Sequence, residues 1–191
     1  MAPGPVLFDT PYSVAVAVLA YVADAFATCE RPIVRQMVAV GGIVIDDCCV
    51  GALTVAPERI FRTTDPFPTE ATADDTCADL PIAMQLLVRV DRCIPTVDDR
   101  GRPPSPVTLE AAYAAILADA AIVWTALASV GVLGDDGYGD TQWVRGSLTQ
   151  EFPVADGGCV AVETRIVLGI QQALWCIECP PAPPEPPPED T

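Results

Sequence analysis

Two segments of the chain carry apolar residues at the spacing of an α-helix. The first helix is predicted from residue 11 to about residue 29, because Pro11 suits the first helical position and Arg31-Pro32 disfavours further turns. The second is predicted at 107–130, with Ser105 as its N-cap. The core-facing stripes are predicted to be Val14, Val18, Val22 and Phe26 in the first helix, and Leu109, Tyr113, Ile116, Ala120, Val123 and Leu127 in the second.

The remaining periodic segments have the alternation of β-strands. The clearest is 159–171, where apolar residues at every second position alternate with Glu163 and Arg165. A break at Gly51 and Pro57 predicts a bend in the second strand. The strands are predicted at 35–40, 48–61, 82–93, 141–148 and 159–171. The order α-β-β-β-α-β-β predicts an α+β fold with one mainly antiparallel sheet packed with two helices.

The chain divides into one domain and a tail. Residues 1–178 are predicted to form a single α+β domain that contains a long acidic, proline-punctuated loop at 63–80. Loops of this length in compact domains are typically functional or mobile. Residues 179–191 hold seven prolines between Pro180 and Pro188, which predicts an extended polyproline-II tail.

Composition excludes several classes of function. The chain has no histidine, no lysine and no asparagine, so triads with histidine, lysine Schiff bases and Walker-type phosphate sites are absent. Its net charge is −16, and all ten basic residues are scattered arginines, which argues against a nucleic-acid-binding patch. The pairs Gly158-Cys159 and Gly146-Ser147 have no activating base except a carboxylate. We therefore expect neither an enzyme nor a cofactor.

Acidic pairs at 46–47, 74–75, 98–99 and 135–136 lie in or beside predicted loops, where an acidic surface is ordinary. The segment 135–140 superficially resembles a calcium loop but lacks its register and its twelfth-position acid. Eight cysteines are expected to be mostly free, buried thiols, and the CxxC at 176–179 has no second CxxC or histidine with which to complete a zinc site. We expect no metal.

An apolar fraction of 51% in so acidic a chain is consistent with a subunit that buries surface against its own copies. A well-packed monomer with an acidic surface is the alternative. Met1–Pro5 lacks the features of a secretory signal, so none is expected. The apolar run at 111–134 carries Asp119 at its centre, which favours a buried or interfacial helix over a membrane span.

Several segments in this order resemble one family. They are the N-terminal helix, Gly41-Gly42 before 47–53, the Phe67-Pro68 loop, Val-Arg-Val-Asp-Arg-Cys-Ile-Pro at 88–95, Asp-Ala-Ala-Ile-Val-Trp at 119–124, and the closing hairpin at 143–164. Together they resemble the head–tail joining (neck) proteins of long-tailed phages that infect high-GC actinobacteria. The resemblance covers most of the chain except the proline tail.

Within the neck, the element order is most similar to that of a tail terminator, whereas stoppers look like small β-barrels and adaptors look mostly helical. The resemblance implies a virion protein, assembled in the host cytoplasm, that forms a hexameric ring on the tail tube. One face would meet the tail-tube protein and the other the head-side connector or stopper. DNA would pass through the lumen without specific binding, and no membrane would be involved. A stopper or another connector is the alternative, and an acidic metal-binding or hydrolytic domain is a remote one.

We expect the loop at 63–80 and the tail at 180–191 to act as contact arms for neighbouring rings. Solvated loops without a partner are the alternative. The candidate interface residues are Phe67, Pro68, Asp74, Asp75, Arg89, Arg92, Pro180, Pro181, Pro183, Pro184, Pro186 and Pro187.

Overall fold

Two helices and six strands make up the protein in a computed structural model, which describes residues 11–40, 48–64, 66–70, 82–129, 144–153 and 158–170. The elements in chain order are α1 (Pro11–Thr28), β1 (Arg35–Val38), β2 (Ala52–Thr64), β3 (Thr69–Glu70), β4 (Ile82–Cys93), α2 (Pro106–Ser129), β5 (Val144–Glu151) and β6 (Cys159–Ile170). The predicted α+β class is confirmed. The short strand β3 lies inside the segment predicted as a loop.

The strands form one sheet in the order β1-β2-β4-β6-β5, and β3 pairs with β2 away from this path. The β1–β2 pair is parallel and the other pairs are antiparallel, as expected for a mainly antiparallel sheet. The register of β2 shifts between Pro57 and Arg59, so the predicted bend is present. Strands β5 and β6 form the predicted closing hairpin.

Both helices contribute to one core with the sheet. The α1 stripe fits its sequence pattern, since Val14, Val18, Val22 and Phe26 are each at most 1% exposed. These side chains cluster with alternate residues of β2, β4 and β6, among them Leu53, Leu86 and Ile166. Because alternate strand residues point to the same face, the periodicity of the strands places this core on one side of the sheet.

The second helix differs from its predicted packing at one position. Its start is as expected, since Ser105 Oγ accepts the backbone N–H of Thr108 at 3.2 Å. Tyr113, predicted in the core stripe, is 48% exposed, whereas Ile116 and Leu127 are buried. The reason is that α2 is apolar on nearly every side, so its periodicity does not single out the face that meets the sheet.

Boundaries of β1, β2 and β5 also differ from the sequence prediction, and β1 ends at Val38 rather than at 40. Strand β2 begins at Ala52 rather than at 48, because Cys48 to Val50 form a turn and Gly51 adopts a φ of 79°. Strand β5 is described as Val144–Glu151, so it ends three residues later than predicted, and the predicted positions 141–143 lie outside the described residues. It lies at an edge of the sheet, where polar residues such as Thr149 and Glu151 still pair with β6.

Both helices have the length and apolar composition of a segment that could cross a membrane. Core helices of soluble proteins and N-terminal signal sequences share these properties, so length and composition alone assign neither helix to a membrane.

Candidate interaction surfaces

The two arginines predicted for an interface lie on opposite faces of the sheet. Arg89 and Arg92 are both on β4, and their odd spacing turns them to different sides of the strand. Arg89 contacts Asp91 and Glu163 on the face away from the helices. Arg92 contacts Asp119 of α2 on the helix side. The structure therefore does not bring them into one site.

The sheet face away from the helices carries a network of ion pairs across β2, β4, β5 and β6. Arg89 lies 2.8 Å from Asp91 and 3.0 Å from Glu163. Arg165 bridges three acidic residues at 3.1 to 3.2 Å: Glu58, Glu151 and Glu163. Four strands are thus linked by these ion pairs, and both guanidinium groups are more than one quarter exposed, so they remain accessible to a partner.

Two aspartates of the described chain have pKa values that shift in opposite directions. Burial raises the pKa of Asp91 above its ordinary 3.8, and the hydrogen bond from Arg89 offsets part of that shift. The same hydrogen bond raises the pKa of the more exposed Arg89. The pKa of Asp98 is lowered, chiefly by the backbone N–H of Arg102 and then by its side chain.

We expect carbon-detected NMR titration of the side-chain carboxyls to give a midpoint above 3.8 for Asp91 and below 3.8 for Asp98. For Asp91 the folded state binds its proton more tightly than the unfolded state, so its contribution to stability falls as pH rises through the folded pKa. For Asp98 the contribution is present above 3.8 and is lost as pH falls through the folded pKa. Midpoints in the reverse order would contradict the described burial of Asp91.

The buried carboxylate of Asp119, a residue of α2, forms ion pairs with two arginines from other parts of the chain. Asp119 is 0% exposed. Its Oδ1 accepts a hydrogen bond from Nε of Arg31 at 2.9 Å, and its Oδ2 accepts one from Nε of Arg92 at 2.7 Å. Arg31 also donates to the carbonyl of Ala115 at 3.0 Å. We call Arg31, Asp119 and Arg92 the ionic triad; its two arginine side chains are 35% and 26% exposed. It borders an open cleft of about 440 Å³.

Gly51 leaves space for the side chain of Arg92 in this triad. A Cβ atom at Gly51 would lie 2.5 Å from Nη1 of Arg92, and the positive φ of this residue also favours glycine. The side chain of Arg92 therefore passes the turn that precedes β2 and reaches Asp119. The triad joins the segment after α1, strand β4 and helix α2, and so ties α2 to the sheet.

Phe67 and Pro68, both predicted for the interface, are half-buried. A Cβ atom at Gly146 would lie 2.9 Å from both Phe67 Cε1 and Pro68 Cγ. Gly146 is on β5, the strand at the far edge from β1, so the sheet curls enough for the β2–β3 turn to reach β5. The hydrogen-bonded path among the described strands nevertheless stays open between β5 and β1.

Four cysteines converge at one end of the sheet, and the expectation of free thiols is wrong for them. Cys48 is bonded to Cys159, and Cys49 is bonded to Cys93. Cys93 and Cys159 are register partners on β4 and β6, which brings both pairs together. Cys159 belongs to the Gly158-Cys159 pair considered above as a nucleophile pattern. Because its sulfur is in a disulfide, it cannot form the thiolate that a nucleophile needs. Cys29 is free and exposed rather than buried.

Helix α2 presents an apolar face to solvent. Tyr113, Leu117 and Trp124 are 48%, 58% and 42% exposed, and they lie four and seven residues apart, on the same side of the helix. Small residues stand between them on this side: Ala114, Ala118 and Ala121. The helix carries just two charged residues, Glu110 and the buried Asp119. We call this surface the α2 outer face.

Sequence reasoning missed the triad and the disulfides. A carboxylate inside an apolar helix signals a buried partner, but the partners Arg31 and Arg92 lie 88 and 27 residues away. The available signal for the disulfides was that the strand predicted at 82–93 ends with a cysteine and the strand predicted at 159–171 begins with one. Several predicted positions lie outside the described residues: Asp74, Asp75, the segment 135–140, the CxxC at 176–179 and the tail prolines.

No protein-family model matches the chain, and no curated protein is significantly similar to it.

Proposed function

We propose that the chain is a structural protein of a phage neck, a tail terminator that forms a ring on the tail tube and joins it to the head. The observation that carries the proposal is the α2 outer face. In a chain of net charge −16, copies repel each other except where a surface is apolar and uncharged. The α2 outer face meets that condition from Tyr113 to Trp124, over about 18 Å of the helix.

The occupant of the α2 outer face is a second copy of this chain. In a closed ring of six subunits, each contact joins two different surfaces, so the α2 outer face of one copy packs on another surface of its neighbour. The alanines between Tyr113, Leu117 and Trp124 allow a close approach of that neighbour. Large exposed aromatic side chains are also typical energetic centres of protein interfaces.

The sheet supports a terminator over a stopper. A stopper of the resembling family would be a small β-barrel, and the described strands leave the path open between β5 and β1. Both helices pack on one side of that open sheet. The acidic composition also suits a ring through which DNA passes, because like charge discourages adhesion of the phosphate backbone.

The decisive experiment mixes the purified protein with growing tail tubes. We expect the protein to cap the tubes, so that their growth stops at a fixed end and electron microscopy shows a ring on that end. Tubes that continue to grow at saturating protein would exclude the terminator role. Capture of the protein at the head vertex without any effect on tube length would favour the stopper.

A charge placed on the α2 outer face should abolish assembly. Leu117→Glu puts a carboxylate at a position 58% exposed, which the folded monomer tolerates but an apolar contact does not. We expect the dissociation constant between subunits to rise at least about 100-fold, equivalent to roughly 2.7 kcal/mol. Sedimentation equilibrium of the protein alone and tail-tube capping both measure it.

The matched control is Val97→Glu, which adds the same charge at an apolar residue 62% exposed in the loop before α2. This variant should assemble and cap tubes as the natural sequence does. Equal loss in both variants would indicate general charge repulsion, and equal assembly in both would exclude the α2 outer face as the contact.

A further inference from the structure

We propose that the reduced protein binds one Zn²⁺ ion through the sulfurs of Cys48, Cys49, Cys93 and Cys159, which we call the four-cysteine cluster. Three separate segments supply it: the turn before β2, the last residue of β4 and the first residue of β6. The β4–β6 register sets Cys93 opposite Cys159. The fold, rather than a local CxxC motif, therefore creates the site. The inference uses these sulfurs alone and does not depend on the neck function.

Three of the four sulfurs lie close to the spacing that a tetrahedral ion needs, and the fourth is bonded to one of them. The Sγ atoms of Cys48, Cys49 and Cys93 all lie within 4.8 Å of one another, and Sγ of Cys159 is bonded to that of Cys48. With zinc–sulfur bonds of about 2.3 Å, neighbouring sulfurs of a tetrahedron are about 3.8 Å apart. Reduction frees each bonded pair to separate by less than about 2 Å, which side-chain rotation can supply.

The donor set is that of a structural zinc site. Four thiolates complete the coordination without histidine, a residue this chain lacks. Cys48 is 3% exposed, whereas Cys49 and Cys93 are exposed, so an ion can reach the cluster from solvent. The guanidinium of Arg92 passes Gly51, next to the turn that carries Cys48 and Cys49, and partly offsets the charge of four thiolates.

The zinc form and the disulfide form exclude each other, because both use the same four sulfurs. Conversion of the zinc form to the disulfide form requires an oxidant, and a low-molecular-weight disulfide serves as one. Two such molecules accept four electrons from the cysteine thiolates and four protons from the solvent and become four thiols. The four cysteine thiolates lose those four electrons, form two protein disulfides and release the Zn²⁺ ion. The cluster thus ties β2, β4 and β6 together in either redox state.

The test is a Co²⁺ titration of the full chain, reduced and held without oxygen. We expect the strong visible absorption of tetrahedral cobalt thiolate, saturating at one ion per chain and displaced by Zn²⁺. A variant that keeps the four-cysteine cluster but carries C29S, C77S, C176S and C179S should bind Co²⁺ with unchanged affinity. C49S and C93S should each weaken binding at least 100-fold.

The variant with C29S, C77S, C176S and C179S, which we call the cluster-only variant, tests the site even if C93S fails to fold. Absence of the cobalt spectrum from that variant, with circular dichroism showing it folded, would overturn the proposal. Loss of binding on C176S/C179S alone would also overturn it, because the CxxC would then be the site. Treatment of the zinc-loaded protein with a small disulfide should release one ion per chain, and retention of the ion after both disulfides form would contradict the shared-ligand model.

Discussion

Replacing both Arg31 and Arg92 with methionine is expected to lower the free energy of unfolding by about 3–5 kcal/mol, measured by chemical denaturation at pH 7. The reason is that Asp119 would keep its buried position without either of its two charged partners. A carboxylate that is 0% exposed cannot regain solvation from water unless α2 moves. Methionine keeps most of the apolar stem of arginine, so the loss reports mainly on the charge.

Two further variants isolate the effect of the unpaired carboxylate. Adding Asp119→Leu to the double variant should restore much of the lost stability, because a buried ion pair exchanged whole for apolar side chains is often neutral. Arg100→Met with Arg102→Met is the matched control; Arg102 is 68% exposed, so its pairing with Asp98 contributes little to stability. A loss of similar size in this control would contradict the role of burial.

The helices and most strands were predictable because their signals are local. Four residues of α1 at a spacing of four, and five apolar residues at every second position of β4, indicate the core-facing side within one segment. Helix α2 shows the limit of this reasoning. Its existence follows from its apolar length and its cap at Ser105, but its orientation depends on Asp119 meeting Arg31 and Arg92. The apolar periodicity of α2 does not predict that contact.

The functional surfaces were less predictable than the fold. Arg89 and Arg92 look like one basic pair in sequence, yet the alternation of β4 assigns them to separate ionic networks. The cysteine pairing needs the register between β4 and β6, which no local pattern of either strand specifies. The boundaries of strands near turns and sheet edges are also hard to predict. Polar residues such as Glu151 do not continue the apolar–polar alternation that would mark where the strand ends.

The two disulfides should provide a large part of the stability of the domain. Cys48–Cys159 links residues 111 positions apart, and Cys49–Cys93 links residues 44 apart. Chain-entropy estimates for loops of these lengths are about 4.8 and 4.0 kcal/mol, and the overlap of the loops makes their sum an upper bound. We therefore expect Cys48→Ala with Cys159→Ala to lower the free energy of unfolding by about 4 kcal/mol under oxidising conditions.

Cys29→Ala is the control for that measurement, since Cys29 is free and exposed and its loss should leave stability within about 0.5 kcal/mol. Reduction of the natural sequence should destabilise it by more than the loss of one disulfide. Zinc added to the reduced protein should then restore stability as RT ln(1 + [Zn²⁺]/Kd), about 2.7 kcal/mol at one hundred times Kd. A double alanine variant as stable as the oxidised protein would show that the register of β4 and β6 holds this end of the sheet without a covalent link.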